Sequence, residues 1–265
     1  MIQILELLEE IAPPRLAEEW DNPGMQVGCL SLEIDTILIA LDPSLEALKD
    51  ALKQGAQLLF THHPLLFRSL SCLDADSYPG DVIALALKND ISIVAAHTNL
   101  DVAKGGINDQ LAELFQLTDI EILQEHRDPQ ISEAGLGRIG SLPHPLALKD
   151  LVHRIKKALN IQQARVTGDL NQRIHRVAVV GGSGAGLLSL ASKKGADVLV
   201  TGDVGHHHAR EAEAIGVAIV DGGHFHTEWA AFMRFAGRLE AMFKDRRWEV
   251  TIKTYDRERP PQFHI

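Results

Sequence analysis

Thr36 to His63 reads TILIALDPSLEALKDALKQGAQLLFTHH, and Arg176 to Asp203 reads RVAVVGGSGAGLLSLASKKGADVLVTGD. Laid over one another at an offset of 140, the two stretches need no gap. Leu48/Leu188, Ala51/Ala191, Lys53/Lys193, Gly55/Gly195, Ala56/Ala196, Leu59/Leu199 and Thr61/Thr201 are identical, and apolar residues match along both flanking runs. Such self-similarity marks a repeated structural unit. Each copy reads as an apolar strand, a helix ended by a glycine suited to a left-handed C-cap, and a second apolar strand. A weaker match lays ISIVAAH (Ile91 to His97) over AIVDGGH (Ala218 to His224) at an offset of 127, which implies a 13-residue insertion between Thr61 and Ile91 in the first copy. Two copies of one module predict an α/β protein of two related domains, with loops gathered beyond the strand ends where open α/β sheets take ligands. The expected division is 1–124 plus 222–265 as a metal-binding domain and 125–221 as a second α/β domain inserted between its parts, with the metal site in the cleft between them.

Outward from the repeat, Ile4, Leu7, Leu8 and Ile11 fall on one helical face, stopped by Pro13-Pro14. WDNPGMQVG (Trp20 to Gly28) is a turn-rich approach to a strand, because Asn-Pro-Gly cannot continue a helix. Leu148, Leu151, Val152, Ile155 and Leu159 predict a helix between the copies, and Trp229, Phe232, Met233, Ala236, Leu239 and Phe243 a long one after the second. WEVTIKT alternates as a strand, and DRERPPQFHI reads as a tail.

The chain has 265 residues, 45% of them hydrophobic, and a formal net charge of -10. That charge opposes a general grip on nucleic acid or an anionic membrane, so neither is an expected partner. An anionic small-molecule substrate would need a local metal or cationic pocket. Cys29 and Cys72 are too few for a disulfide framework and form no CxxC pair. MIQILELLEEIAPP has neither a basic start nor a cleavage site, no apolar run reaches transmembrane length, and a cytoplasmic location is expected.

Chemistry concentrates at the strand ends. His62 and His63 follow the apolar LLF, and Pro64 holds His63 in an extended or turn conformation, so a bend there lets the two rings serve different ions. A pair of exposed loop histidines is the competing account. In HTNLD, Asp101 lies four residues after His97, as a metal ligand or as a helix N-cap or turn residue. GGHFHTEWAAF places His224 and Glu228 at i and i+4 on one helical face. Glu228 can also serve only as a first-turn carboxylate favoured by the helix dipole. His226, at i+2 from both, should point elsewhere unless the helix starts after it. Three imidazoles and two carboxylates suit zinc, iron, manganese or magnesium, and five such ligands hold two divalent ions if a carboxylate bridges.

GGSGAG (Gly181 to Gly186) follows a strand, yet its glycines do not fit GxGxxG. A tight turn and phosphate contact at a helix start are both open there. TGDVGHHHAREA carries Asp203, His206, His207 and His208, as functional or as surface residues.

With WDNPGMQVG, THHPLLF, HTNLD, GGSGAG, TGDVGHHHA and GHFHTE in order, nearly the whole chain resembles the type 2 GTP cyclohydrolase I family, also called Ngg-interacting-factor-three-like proteins. The resemblance implies two α/β domains, a dinuclear metal site on His62, His63, Asp101, His224 and Glu228, and a homo-oligomer, commonly a hexamer of three dimers. Where relatives carry a basic and an aromatic residue after TGDV, this chain has Gly205 and His206, while His207 keeps the family's histidine. The function expected is a dinuclear-metal hydrolase of a nucleotide or related heterocycle. His97 is the first candidate for proton transfer and His207 the second. A non-enzymatic metal-binding regulatory or adaptor protein is the alternative.

Overall fold

The computed structural model describes every residue except 129, 132 and 263–265. In chain order the elements are α1 (Ile2–Ile11), β1 (Gly24–Val27), β2 (Thr36–Ala40), α2 (Leu45–Lys53), β3 (Leu58–Thr61), α3 (Gly80–Lys88), β4 (Ser92–Ala95), α4 (Thr98–Val102) and α5 (Ile107–Leu114). They continue through β5 (Thr118–Glu125), β6 (Gly135–Ala147), α6 (Leu148–Ala158), β7 (Arg165–Thr167), β8 (Arg173–Ser183), α7 (Leu188–Lys193), β9 (Val198–Gly202), α8 (His206–Ile215), β10 (Ala218–Asp221), α9 (His224–Asp245) and β11 (Thr251–Thr254). Two compact units result: Met1–Leu100 with Met233–Arg259, and a second built on Asp101–Phe232. No described helix is long and apolar enough to cross a membrane.

The first unit is a five-stranded sheet in the order β1-β4-β3-β2-β11, parallel except for the edge strand β1. Every residue of β3 and β4 is buried, the pattern of parallel strands covered on both faces. Leu38, Leu59 and Ile93 meet Leu48, Ala51, Val82 and Ala86 in one core, which is why α2 and α3 carry their apolar stripes toward the sheet. Ser44 caps α2 by accepting from Ala47 N, and Gly55, at φ 69°, supplies the left-handed exit.

The second unit is a six-stranded sheet in the order β5-β6-β8-β9-β10-β7, with β8, β9 and β10 parallel. Its core sets Ala178, Leu199 and Ile219 against Leu188, Ala191 and Ala212. The repeat is present in the hydrogen-bond register itself. Ile37 pairs with Leu58 as Val177 pairs with Val198, and Gln57 N donates to Thr36 O as Asp197 N does to Arg176 O.

The repeat also reaches further than the sequence reading. Edge strand β7 lies antiparallel to β10 as β1 lies to β4. Gly28, at φ 123°, leaves room for Ser92, and Gly168, at φ 126°, leaves it for Ala218, so a side chain at either glycine would collide with the neighbouring strand. The weaker match is shifted by one residue in the strand pairing. Leu58 pairs with Ser92 and Val198 with Ala218, so Ser92 corresponds to Ala218 and the offset is 126 rather than 127. His97 is therefore the counterpart of Gly223, and the two strands do not end on equivalent histidines.

Helices α1, α6 and α9 and strand β11 fall where their periodicity places them. The long strands β5 and β6 had no sequence expectation. The expected tail differs as well, apart from its last three residues, which lie outside those described. Glu258 is 9% exposed, and its carboxylate accepts hydrogen bonds from Leu41 N (2.8 Å) and Asp42 N (2.7 Å), so the end of the first unit is strapped to the loop after β2.

Burial pushes the Glu258 carboxyl up to about 7 against the pull of those two N–H donors. A carboxyl raised in the folded state favours folding most below its unfolded value and loses that contribution as pH rises through the folded one. Stability of the wild-type protein should therefore fall between about pH 4.5 and 7, by about 3 kcal/mol if the whole shift is expressed. In Glu258→Gln that slope should flatten on a lower baseline. Urea titrations at several pH values measure it, and an unchanged slope would contradict the assignment.

Candidate metal centre

In the first unit, β3 delivers His62 and His63 and β4 delivers His97. The ring centroids of His62, His63 and His97 lie 5.2 to 5.5 Å apart. One ligand atom from each comes within 4.8 Å of the others, so the three form a group that can hold a metal ion.

Each ring is held through Nδ1. His62, fully buried, makes a 2.8 Å bond to Ala96 O, His63 a 2.7 Å bond to Asp42 Oδ1, and His97 a 2.8 Å bond to Asp21 Oδ1. Carbonyl and carboxylate oxygens only accept, so Nδ1 is the donor in all three and Nε2 is the atom through which each would bind a metal. Backbone bonds complete the mounting: His63 N donates to Leu41 O (2.9 Å), and Thr61 Oγ1 donates to His63 O (2.8 Å). Behind His97, Asn99 Oδ1 accepts His97 N while its Nδ2 donates to Ala12 O. Burial opposes ionisation of Asp21, but the bonds from His97 and Thr98 outweigh it and hold the carboxyl at about 2.

In the second unit, α9 begins at His224, so His224 and Glu228 do share a face, with Nε2 and Oε2 3.1 Å apart. His224 Nδ1 bonds Asp203 Oδ2 at 2.7 Å, the same carboxylate mounting as in the first unit. The bond to Glu228 is the largest of the influences on His224, and with Asp203 it raises the imidazole to about 9 in spite of burial. Because α9 starts before His226, that ring lies two residues on and packs edge-on against Phe225 at 5.4 Å. His207 is exposed near the start of α8, its ring 5.7 Å from that of His206.

Asp101 is 9% exposed on α4, and its carbonyl accepts from Asn108 Nδ2 (2.9 Å). Asn108, fully buried, also accepts Gly181 N (2.9 Å), so one amide fixes both the Asp101 backbone and the glycine segment. Half of that segment is tied into the fold through its own N–H groups. Gly181 and Gly182 still belong to β8; Gly182 N donates to Thr227 Oγ1 and Gly184 N to Thr201 Oγ1, so three of its N–H groups are already committed.

What the glycines supply is space. A Cβ on Gly182 would overlap Glu228 Oε1, and one on Gly181 would sit 3.7 Å from Glu228 Cγ. Gly182 also holds φ 63°, a conformation costly for other residues. The buried carboxylate of Glu228 thus occupies a recess shaped by a missing side chain, and with imidazole beside it the donor set is nitrogen and hard oxygen, which fits a divalent ion.

The anchors Asp21, Asp42 and Asp203 were not singled out as anchors by sequence. A signal existed for Asp203 alone, which takes the position of His63 in the second copy of the repeat.

Gly182→Ala should destabilise the fold by about 1 to 3 kcal/mol from backbone strain and lower the divalent metal bound per chain. Gly186→Ala is the control, since a Cβ there meets nothing within 4 Å. Thermal unfolding and elemental analysis read both. Full metal content in Gly182→Ala would show that the recess is not needed.

Comparison with known proteins agrees with this architecture. The family model described as Duf34/NIF3 (NGG1p interacting factor 3) matches residues 1–261. A Clostridium perfringens protein called GTP cyclohydrolase 1 type 2 homolog is 39% identical over 237 residues, covering 89% of this chain and 90% of its own. A Staphylococcus aureus crystal structure superposes with a TM-score of 0.93 at 31% identity, covering 99% of this chain and 98% of its own. For a Bacillus cereus protein related to NIF3 the TM-score is 0.91 at 28% identity, with the same coverage. The chain belongs to the Duf34/NIF3 family.

Proposed function

We propose that this protein is a dinuclear-metal hydrolase of a nucleotide or related heterocycle, of the GTP cyclohydrolase I type 2 kind. In this reading His62, His63, Asp101, His224 and Glu228 would hold two divalent ions. The observation that carries it is the mounting of the imidazoles, each fixed at Nδ1 by a carboxylate or carbonyl, which is the arrangement that orients histidine toward a metal. Divalent ions so held supply Lewis acidity and lower the pKa of a coordinated water.

The chain's own residues do the rest. His97 moves a proton at Nε2 to or from a ring nitrogen of the substrate, while Asp21 holds its other nitrogen in one tautomer and steadies the imidazolium. Hydrolytic opening of the imidazole portion of a purine, with loss of one carbon as formate, changes no redox state, so a nicotinamide is not required. A substrate's negative charge would have to be met locally, by the bound ions, since the chain as a whole carries -10. Assembly as a hexamer and a cytoplasmic location belong to the same proposal.

Metal-replete protein should carry about two divalent ions per chain, fewer in Asp101→Ala and Glu228→Ala, and should release formate from GTP. Chelator and His63→Ala should abolish release. His97→Ala should slow it on the order of 10² or more while keeping its metal; loss of metal in His97→Ala would instead make His97 a ligand, consistent with its place in the three-histidine group. If no nucleotide in a broad panel is turned over, the role is metal binding without catalysis, in regulation or as an adaptor. Native mass measurement tests the assembly, and a stable monomer at micromolar concentration would refute the hexamer.

A further inference from the structure

The segment Trp20–Asp21–Asn22 holds three things at once. Asp21 anchors His97 and accepts from Thr98 N at 3.1 Å. Asn22 Nδ2 donates to Leu66 O at 2.8 Å, and Gln26, only 9% exposed, accepts Leu66 N at 3.0 Å while its Nε2 donates to Asn22 O at 2.7 Å. This polar stitching fixes the approach to β1 against the chain that follows His63 and Pro64.

Trp20 and Phe67 sit on the two stitched segments. Their ring centroids are 5.6 Å apart at 60°. Trp20 lies 6.1 Å from the His97 ring at 72°, and Phe67 lies 6.4 Å from it at 71°, so both meet His97 edge-on. Yet Trp20 is 58% exposed and Phe67 48%. In a chain only 5% aromatic, two large rings stand largely in water beside the His97 imidazole. Core packing does not explain their placement, because both rings are about half exposed on segments tied down by Asp21, Asn22 and Gln26.

We propose that the exposed surface of Trp20, backed by Phe67, is a stacking platform that binds a planar heteroaromatic ring next to His97. The inference rests on the proposed hydrolase reading and gives its substrate a binding determinant. Aromatic stacking accepts any base with a π-face, so the platform would supply ring affinity with the His97 ring centroid 6.1 Å from that of Trp20. Polar stitching makes the platform preformed, so little ordering opposes binding.

The test uses full-length, metal-loaded protein and calorimetric titration with guanosine, adenosine, cytidine and uridine, with inorganic tripolyphosphate as the ring-free probe. Nucleoside affinity should fall about tenfold or more in Trp20→Ala and recover in Trp20→Phe, with metal content and tripolyphosphate binding unchanged. Because Trp20 is mostly exposed, the substitution leaves the fold intact, and an unchanged thermal midpoint checks this. Equal nucleoside affinity in wild type, Trp20→Ala and Phe67→Ala would overturn the proposal. So would failure of all four nucleosides to bind the wild type, or a change of native mass in Trp20→Ala without a change of ring affinity, which would make the surface a contact between copies. Formate release at full rate by Trp20→Ala would remove the platform and leave the hydrolase standing. Ring binding that depends on Trp20 without any turnover would do the reverse.

Discussion

Every candidate metal-binding imidazole here depends on one kind of contact, an oxygen acceptor fixed against Nδ1. A free imidazole offers either nitrogen and rotates about two bonds; tying Nδ1 to Ala96 O, Asp42, Asp21 or Asp203 selects the tautomer and leaves a single ligand atom and direction. The acceptors must themselves be immobile, and the rest of each unit can be understood from that requirement. Asp42 follows β2 and has its N–H clamped by Glu258 from the far end of the sequence. Asp21 is bound by His97 and Thr98 together.

In the second unit the same logic extends to the two candidate carboxylates, Asp101 and Glu228. Arg138, 3% exposed, pairs with both oxygens of Asp109 and donates to Gly135 O and Gly137 O, while Asp109 accepts Gly105 N. A buried ion pair is weak evidence for stability, but leaving either partner alone there would be costly, so the Arg138–Asp109 pair ties β6 to the segment behind Asp101. Asn108 and Thr227 pass that rigidity to β8, whose Gly182 forms the recess for Glu228.

Much of this was legible in the sequence because it follows from local pattern. The repeated strand-helix-strand, the helix carrying His224 and Glu228 and the strand-end positions of His62 and His63 all come from periodicity and from residues next to one another. What was hidden depends on partners far apart in the chain. Glu258 in an apparent tail meets Leu41, Asp21 meets His97, and Asn108 meets Gly181, and no local pattern signals such pairs. The one-residue error in register shows the same limit. Both ISIVAAH and AIVDGGH end in histidine, and that coincidence outweighed an alignment that only the strand pairing could decide. The glycine run leaves two readings open for a related reason: a glycine needed for a neighbour's side chain looks in sequence like one needed for a ligand.

The divergence of the two copies then has a steric cause. At the positions of His62 and His63 the second copy has Gly202 and Asp203. A Cβ on Gly202 would overlap the backbone nitrogen of His224, so the start of α9 can lie there only because the side chain is gone. Where α9 brings its own histidine, the neighbouring position holds the acid that mounts it, Asp203 on His224. The first copy keeps imidazoles on its strand and draws its acids from the loops, at Asp42 and Asp21; the second takes its imidazole from a helix and puts the acid at the strand end. Both solutions surround imidazole with carboxylate. The resulting local field attracts cations, and it is felt even by a proton, which His224 retains up to about 9. A chain of net charge -10 that concentrates acids around imidazole nitrogens is thus built to collect positive charge at these strand ends, where an anionic ligand would otherwise be turned away.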